Sequence, residues 1–234
     1  MEIVGKSLTS TLDHLQPDRL NRGNSGAACA ECNERINGQQ RSIDIDSRMV
    51  DNRCRSPPGI AKIMSTPALR LIDRQLTSDI DRLQAVLEGA PGYSLAVEGR
   101  LPTPNAAIEV LDALPPGKGH SDKFVYEIAH DSEAVGCLEM VRGYPEADIA
   151  FIGLLLFQEG AQRRGFGPQV LRLAEGIGTG WQCRALRIAV IDTNPRAFNF
   201  WKREGFIELL RKPAMDFAGQ AIVMERALPA AAIV

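Results

Sequence analysis

The sequence has no surplus of positive charge: 27 Lys and Arg stand against 29 Asp and Glu, for a formal net charge of −2 and a pI of about 6.0. Such a chain presents no global cationic field to draw in nucleic acid or an anionic membrane, so neither is expected as a partner. No apolar run reaches membrane-spanning length, and the first residues lack the basic and then apolar layout of a signal peptide. A cytoplasmic location is the expectation. Cysteine is scarce and odd in number: Cys29, Cys32, Cys54, Cys137 and Cys183 are too few for a disulfide scaffold and suit a reducing compartment. Cys29 and Cys32 with Cys54 raise the question of zinc. A fourth ligand at standard spacing is missing and His14 lies on the wrong side, so no metal is expected.

What is present is enough for one sizeable domain with an appendage: 234 residues, 44% hydrophobic and 24% charged. The chain changes character near Met64. Residues 1–63 are rich in Asn, Arg, Ser, Asp and Gly and carry no sustained helical or strand period, so they read as a disordered or weakly ordered leader. Met64 would serve equally as a start, and "SPPG" at 56–59 is a natural boundary. Residues 64–234 are then the folded domain.

From Ala68 the pattern becomes regular. "ALRLIDR" alternates as a half-buried strand does. A helix capped by Thr77 or Ser78 carries an apolar stripe of Ile80, Leu83, Val86 and Leu87 and stops at Gly89. A second helix spans 105–114 with Ile108, Val110, Leu111 and Leu114 inward, and "PPGKG" ends it. The runs "KFVYEIAH", "AVGCLEMVRGY" and "DIAFIGLLLFQ" follow with short connections that favour antiparallel neighbours. A helix after Gly167, the strand "ALRIAVID", a helix over 195–204 and the strands "FIELLRK" and "AIVMERAL" complete the order. The fold class is α/β (α+β): a mixed, mostly antiparallel central sheet flanked by helices. Its 186–192 strand enters parallel to the 149–157 strand through a helical crossover.

At that crossover stands "QRRGFG", from Gln162 to Gly167. Two glycines at the start of a helix let the chain turn tightly and aim backbone N–H groups and the positive helix end at one place, which suits a phosphate. A P-loop is excluded because no Gly-Lys-Ser or Gly-Lys-Thr follows, and the dinucleotide fingerprint fails because Val170 stands at its third glycine.

The order Gln162, Arg163, Arg164, Gly165, Phe166, Gly167 resembles the Gln/Arg-x-x-Gly-x-Gly/Ala signature of the GNAT acyltransferases. "NPRAFNFWKREGF" at 194–206 resembles that family's second signature, an Asn-x-x-Ala helix ending in a Gly-Phe turn. The resemblance covers roughly 69–228 and implies the GNAT fold with acetyl-CoA as cofactor. It implies that the amides of 162–167 hold the coenzyme pyrophosphate, with Pro168 withholding one donor. It implies further that Leu154, Leu155 and Leu156 pair their backbone with the pantetheine arm, and that Asn194 meets the arm's far end with Ala197, Phe198 and Trp201 alongside. Arg163 and Arg164 are candidates for phosphate contacts. Many relatives use a tyrosine as general acid where this chain has Trp201, whose indole N–H has no useful acidity.

For proton transfer the sequence offers Glu139 as general base, acting through water, and Tyr144 in the "RGYPEAD" turn. Tyr126, Glu127, Cys137 and Asp192 are further candidates, while His120 and His130 read as surface histidines. No cysteine has an evident histidine and acid partner, so direct transfer from thioester to amine is expected rather than an acyl-enzyme. The resulting expectation is an acetyl-CoA-dependent N-acetyltransferase acting on a primary amine of a small molecule. The alternatives are a protein N-acetyltransferase, or a non-catalytic acyl-CoA-binding regulatory module. Because relatives are often dimers through their C-terminal strands, "AIVMERAL" is a candidate edge for a homodimer.

Overall fold

The computed structural model describes residues 66–214 and 217–229; the leader over 1–63, with its three cysteines, lies outside the described residues. Alternating and continuously apolar runs become strands: β1 (Ala68–Leu71), β2 (Lys123–His130), β3 (Glu133–Arg142), β4 (Ile149–Phe157), β5 (Ala185–Ile191), β6 (Ile207–Pro213) and β7 (Gln220–Ala227). The helices are α1 (Thr77–Glu88), α2 (Pro91–Glu98), α3 (Ala106–Asp112), α4 (Phe166–Gly180) and α5 (Pro195–Arg203). One sheet results, in the order β1-β2-β3-β4-β5-β7-β6. Every neighbouring pair is antiparallel except β4 with β5, which α4 joins as the crossover.

β4 reads as an unbroken apolar run because helices cover both faces. All of β4 and β5 is buried. On one face Phe124 of β2 packs against Trp181 just past α4, with ring centroids 4.8 Å apart. On the other, Glu127 meets Arg82 of α1 at 2.9 Å, and the Lys123 ammonium donates to the carbonyl of Ala113 just after α3.

One helix is added and three local expectations change. The segment "PGYSLAVE" is helical (α2): Pro91 sits at its first turn, where a missing N–H costs nothing, and Gly99 closes it at φ 71. Leu76 precedes α1, which has no hydroxyl cap. In α3 the buried residues are Ala106, Ala107, Val110 and Leu111, which turns Ile108 to solvent. The "AIVMERAL" run is not an edge, since β7 lies between β5 and β6. The outer strand is β6, with Ile207, Leu209 and Leu210 exposed.

An ion cluster ties β1 to α1 and β2. Arg70 bridges Asp79 at 3.1 Å and Glu127 at 3.0 Å, and Arg82 reaches the same two carboxylates. The Asp73 amide donates to Asp79 at 2.9 Å; that bond and the two guanidiniums hold the Asp79 carboxyl below its ordinary value of 3.8 against the opposing effect of burial. A depressed folded-state pKa contributes stability above the unfolded value and loses it as pH falls. Asp79→Asn is therefore expected to lower unfolding free energy by about 1–3 kcal/mol at neutral pH in urea titration, the arginines being part-exposed. The deficit against the parent should shrink as pH falls below the ordinary aspartate range.

Candidate functional site

β4 is built to part from its neighbour. Its first four residues pair with β5, from Ile149 opposite Ala185 to Ile152 opposite Ile188, and the parallel ladder stops there. The β3 register skips at the same point: Glu139 faces Leu154 while Met140 faces Ile152, leaving Gly153 as a bulge. Beyond it Leu154, Leu155 and Leu156 keep their β3 partners, but the strand edge turned away from β3 meets no strand among the described residues. Their side chains are fully buried, so only main-chain groups of this segment can meet a ligand.

Glycine is required at the bulge because Glu139 fills the space beside it. A Cβ on Gly153 would lie 2.6 Å from Glu139 Oε1 and 2.9 Å from its Cδ. The Glu139 side chain is 0% exposed and pairs at 3.1 Å with the Lys123 ammonium, itself 2% exposed. This pair is sealed within the sheet and the helices above it, beneath the point where β4 leaves β5.

After β4 a single helical turn leads into the loop ahead of α4. Here Arg163 (φ 60) and Gly165 (φ 82) both take the left-handed conformation. For arginine that geometry costs on the order of 1–2 kcal/mol, and such strain concentrates at ligand clamps. Gly165 precedes the first residue of α4 without a side-chain cap, and nothing lies within 4 Å of where its Cβ would stand. The first α4 amides have no intrahelical acceptor by position, and Pro168 among them has no donor. A cavity of about 340 Å³ opens here, lined by Phe157, Gln162, Gly165, Phe166, Gly167 and Arg203 among others. Gln162 and Arg163 also line an adjoining cavity of about 450 Å³, whose far wall includes Ala96, Thr193, Asn194 and Arg196. Gln162 itself is fixed, its amide donating to the Phe157 carbonyl at 3.2 Å.

Asn194 opens α5. Its Oδ1 accepts from the Ala197 amide at 3.0 Å, a cap of the ordinary kind, while its buried Nδ2 has no partner among the described residues. An unsatisfied buried donor on a cavity wall is a place for a ligand acceptor. Ala197 is fully buried below it and Phe198 partly so. Trp201 is core: its indole is fully buried with Phe200 and Phe206 set edge-on at 5.1 and 4.8 Å, and its Nε1 has no partner among the described residues.

The structure thus gathers Gln162, Arg163, Gly165, Phe166, Gly167 and Asn194 around two cavities that share Gln162 and Arg163, while Leu154, Leu155 and Leu156 line neither. Arg164 reaches the cavity residues through its guanidinium, 5.0 Å from the Phe166 ring. It does not bring Tyr144 there. Tyr144 sits in the turn before β4, its ring buried 5.6 Å from Phe151, and the whole nine-residue strand, roughly 30 Å, separates it from the loop. Glu127 belongs to the Arg70 and Arg82 cluster. Asp192 accepts from the Gln220 amide at 2.9 Å. Burial raises the pKa of the half-buried Tyr126 phenol and that of Cys137, with the charge of Glu139 adding to the latter, so Cys137 stays a thiol.

Two contributors have no signal in the sequence. His130 is not a surface residue: its side chain is 11% exposed and its ring lies 4.7 Å from Phe166, supporting the loop from below. Arg203, from the last turn of α5, adds a cation to the wall of the first cavity. Among the described residues no group of His, Cys, Asp and Glu could hold a metal ion, and no helix is long and apolar enough to cross a membrane.

Comparison with known proteins follows the same lines. Residues 100–206 match the Acetyltransferase (GNAT) family. An acetyltransferase from Thermus thermophilus superposes with a TM-score of 0.58 at 28% identity, covering 70% of this chain and 99% of its own. The spermidine N-acetyltransferase of Vibrio cholerae, solved with CoA and spermine, gives 0.54 at 13% identity over 70% and 96% of the two chains. The ribosomal-protein-S18-alanine N-acetyltransferase of Escherichia coli gives 0.52 at 13% over 72% and 97%. A search of curated proteins finds no match to the chain.

Proposed function

The chain carries a GNAT-family acetyltransferase domain, and from that premise we propose that residues 64–234 form an enzyme moving an acetyl group from acetyl-CoA directly to a primary amine of a small molecule. One observation carries the reading: a strained loop and an uncapped helix start stand directly beyond a strand whose outer edge is unpaired among the described residues. An anion with a long amide-bearing arm fits both parts. The amides at 165–167 meet negative charge at the positive end of α4. The free edge of 154–156 offers strand-like bonds to the arm, and the buried Asn194 amide supplies a donor to an acceptor on it. When bound, acetyl-CoA supplies an activated acyl group whose transfer to an uncharged amine leaves a free thiol.

The residues favour direct transfer. Cys137 is a buried thiol beside a carboxylate, the opposite of an activated nucleophile. Glu139 faces no solvent and already holds Lys123; its part in the reaction is to shape the bulge that frees the edge of β4. Trp201, sealed among Phe200 and Phe206, braces α5 and thereby Asn194. A small acceptor is preferred over a protein because the sequence carries no recognisable protein-interaction module.

The test is calorimetric titration of the full chain with acetyl-CoA, coenzyme A and ATP, followed by thiol release over a panel of amines. Selective coenzyme binding with release supports the enzyme. Binding without release returns the regulatory alternative, and equal binding of ATP removes the coenzyme reading. Asn194→Ser sharpens the test, because serine keeps the helix cap and removes the amide donor. Stability should hold within about 0.5 kcal/mol while coenzyme affinity falls about tenfold, the worth of one hydrogen bond.

A further inference from the structure

The wall of the second cavity carries two guanidiniums against one carboxylate. Arg163 and Arg196 are both exposed, and neither has an ion pair among the described residues. The carboxylate, Glu159, accepts from the Gly92 amide at 3.1 Å. Arg196 stands in the first turn of α5, where the helix end adds positive potential, and the buried Asn194 amide beside it has an unmet donor. In a chain of net charge −2 this 450 Å³ space is a local reversal of sign, and it suits an anion.

We propose that Arg163 and Arg196 hold the 3′-phosphate of coenzyme A, and that this contact selects free coenzyme thioesters over acyl groups borne on a bare phosphopantetheine arm. The inference deepens the acetyltransferase reading and rests on it. Coenzyme A carries its charge in two places: the pyrophosphate, and a phosphate monoester on the 3′ position of the ribose next to it. The amides at 165–167 border the first cavity and are matched to the pyrophosphate. A site for the second phosphate must adjoin that cavity, and the second cavity does, since the two share Gln162 and Arg163. A phosphate monoester approaches two negative charges at neutral pH and has three strong acceptor oxygens, which suits a pair of guanidinium forks. The exposed arginines stand at the solvent side of the cavity and Asn194 at its buried side, so the phosphate and the amide-bearing arm take different parts of it. A phosphopantetheine arm attached to a carrier protein has no ribose phosphate and leaves both arginines unmet.

The experiment titrates the full chain calorimetrically with coenzyme A and with 3′-dephospho-coenzyme A, which differ by that phosphate alone. The parent protein should bind coenzyme A about tenfold or more tightly, and the preference should shrink at high salt because the arginines are exposed. In Arg196→Met most of the preference should be lost: affinity for coenzyme A falls several-fold while that for the dephospho form changes by less than about twofold. Arg196→Lys keeps the charge without the paired donors and should lie between. Equal affinities in the parent overturn the proposal and leave the acetyltransferase reading in place. A loss of equal size for both ligands in Arg196→Met also overturns it, since that places Arg196 at the pyrophosphate. So does a preference undiminished in that variant, which puts the 3′-phosphate elsewhere. Failure to bind either ligand overturns this proposal together with the reading beneath it.

Discussion

Gly165→Val should weaken coenzyme A binding about a hundredfold or more in calorimetric titration, while the thermal midpoint drops by only about 2–8 °C. The two effects separate because of where the glycine stands. At φ 82 its backbone lies in the region a β-branched residue resists, yet an added side chain would meet nothing within 4 Å. The cost to folding is therefore the strain of one residue, about 1–2 kcal/mol. Relieving that strain rotates the peptide joining Gly165 to Phe166 and swings the first amides of α4 away from a common centre. Gly165→Ala should fall between the two. Undiminished affinity in the valine variant would remove the loop from its proposed role.

Lys123→Met should be the most destabilising single substitution near the site. It leaves the Glu139 carboxylate sealed in the sheet without its counter-ion, and breaking a buried pair of this kind costs about 3–5 kcal/mol. The double variant Lys123→Met/Glu139→Leu should recover most of the loss, since apolar groups of similar volume carry no charge to desolvate. Urea titrations of the two singles and the double form a cycle, and a double variant no more stable than the worse single would show that the pair does more than neutralise itself. A mutual dependence with Gly153 follows. The Glu139 carboxylate occupies the space a Cβ would need there, so Gly153→Ala should be better tolerated once Glu139 is shortened to alanine.

The sheet is legible because its signals are local. Strands β2, β3 and β4 are separated by turn residues, the crossover strand β5 follows a clear amphipathic helix, and the loop at 162–167 carries its glycines in plain view. Continuous apolar runs hide more. "IAFIGLLLF" gives no alternation from which a bulge at Gly153 could be read, and only the register against β3 reveals it. The helix α2 escapes a reading by period because eight residues with a Pro-Gly start offer scarcely two turns. Ile108 reads as inward because isoleucine usually is. The inward stripe of α3 uses Ala106 and Ala107 instead, residues too small to mark a face. Glu139 resembles an accessible strand carboxylate because nothing in the sequence tells that Lys123, sixteen positions earlier, is delivered to it across an antiparallel register. His130 carries no functional signal for the same reason: it becomes interesting only through Phe166, brought from a distant element.

The outer margin of the sheet has a consequence of its own. β6 leaves Ile207, Leu209 and Leu210 exposed along a row of peptide groups that pairs with no further strand among the described residues, the combination from which chains stack into fibres. Its register slips between Glu208 and Leu210, so Leu209 is extra, and the slip turns Glu208 and Arg211 to one side, where they pair at 2.8 Å. A kinked, charge-studded ribbon closed by Pro213 offers a newcomer no straight template. One surplus leucine thereby denies this margin a straight partner.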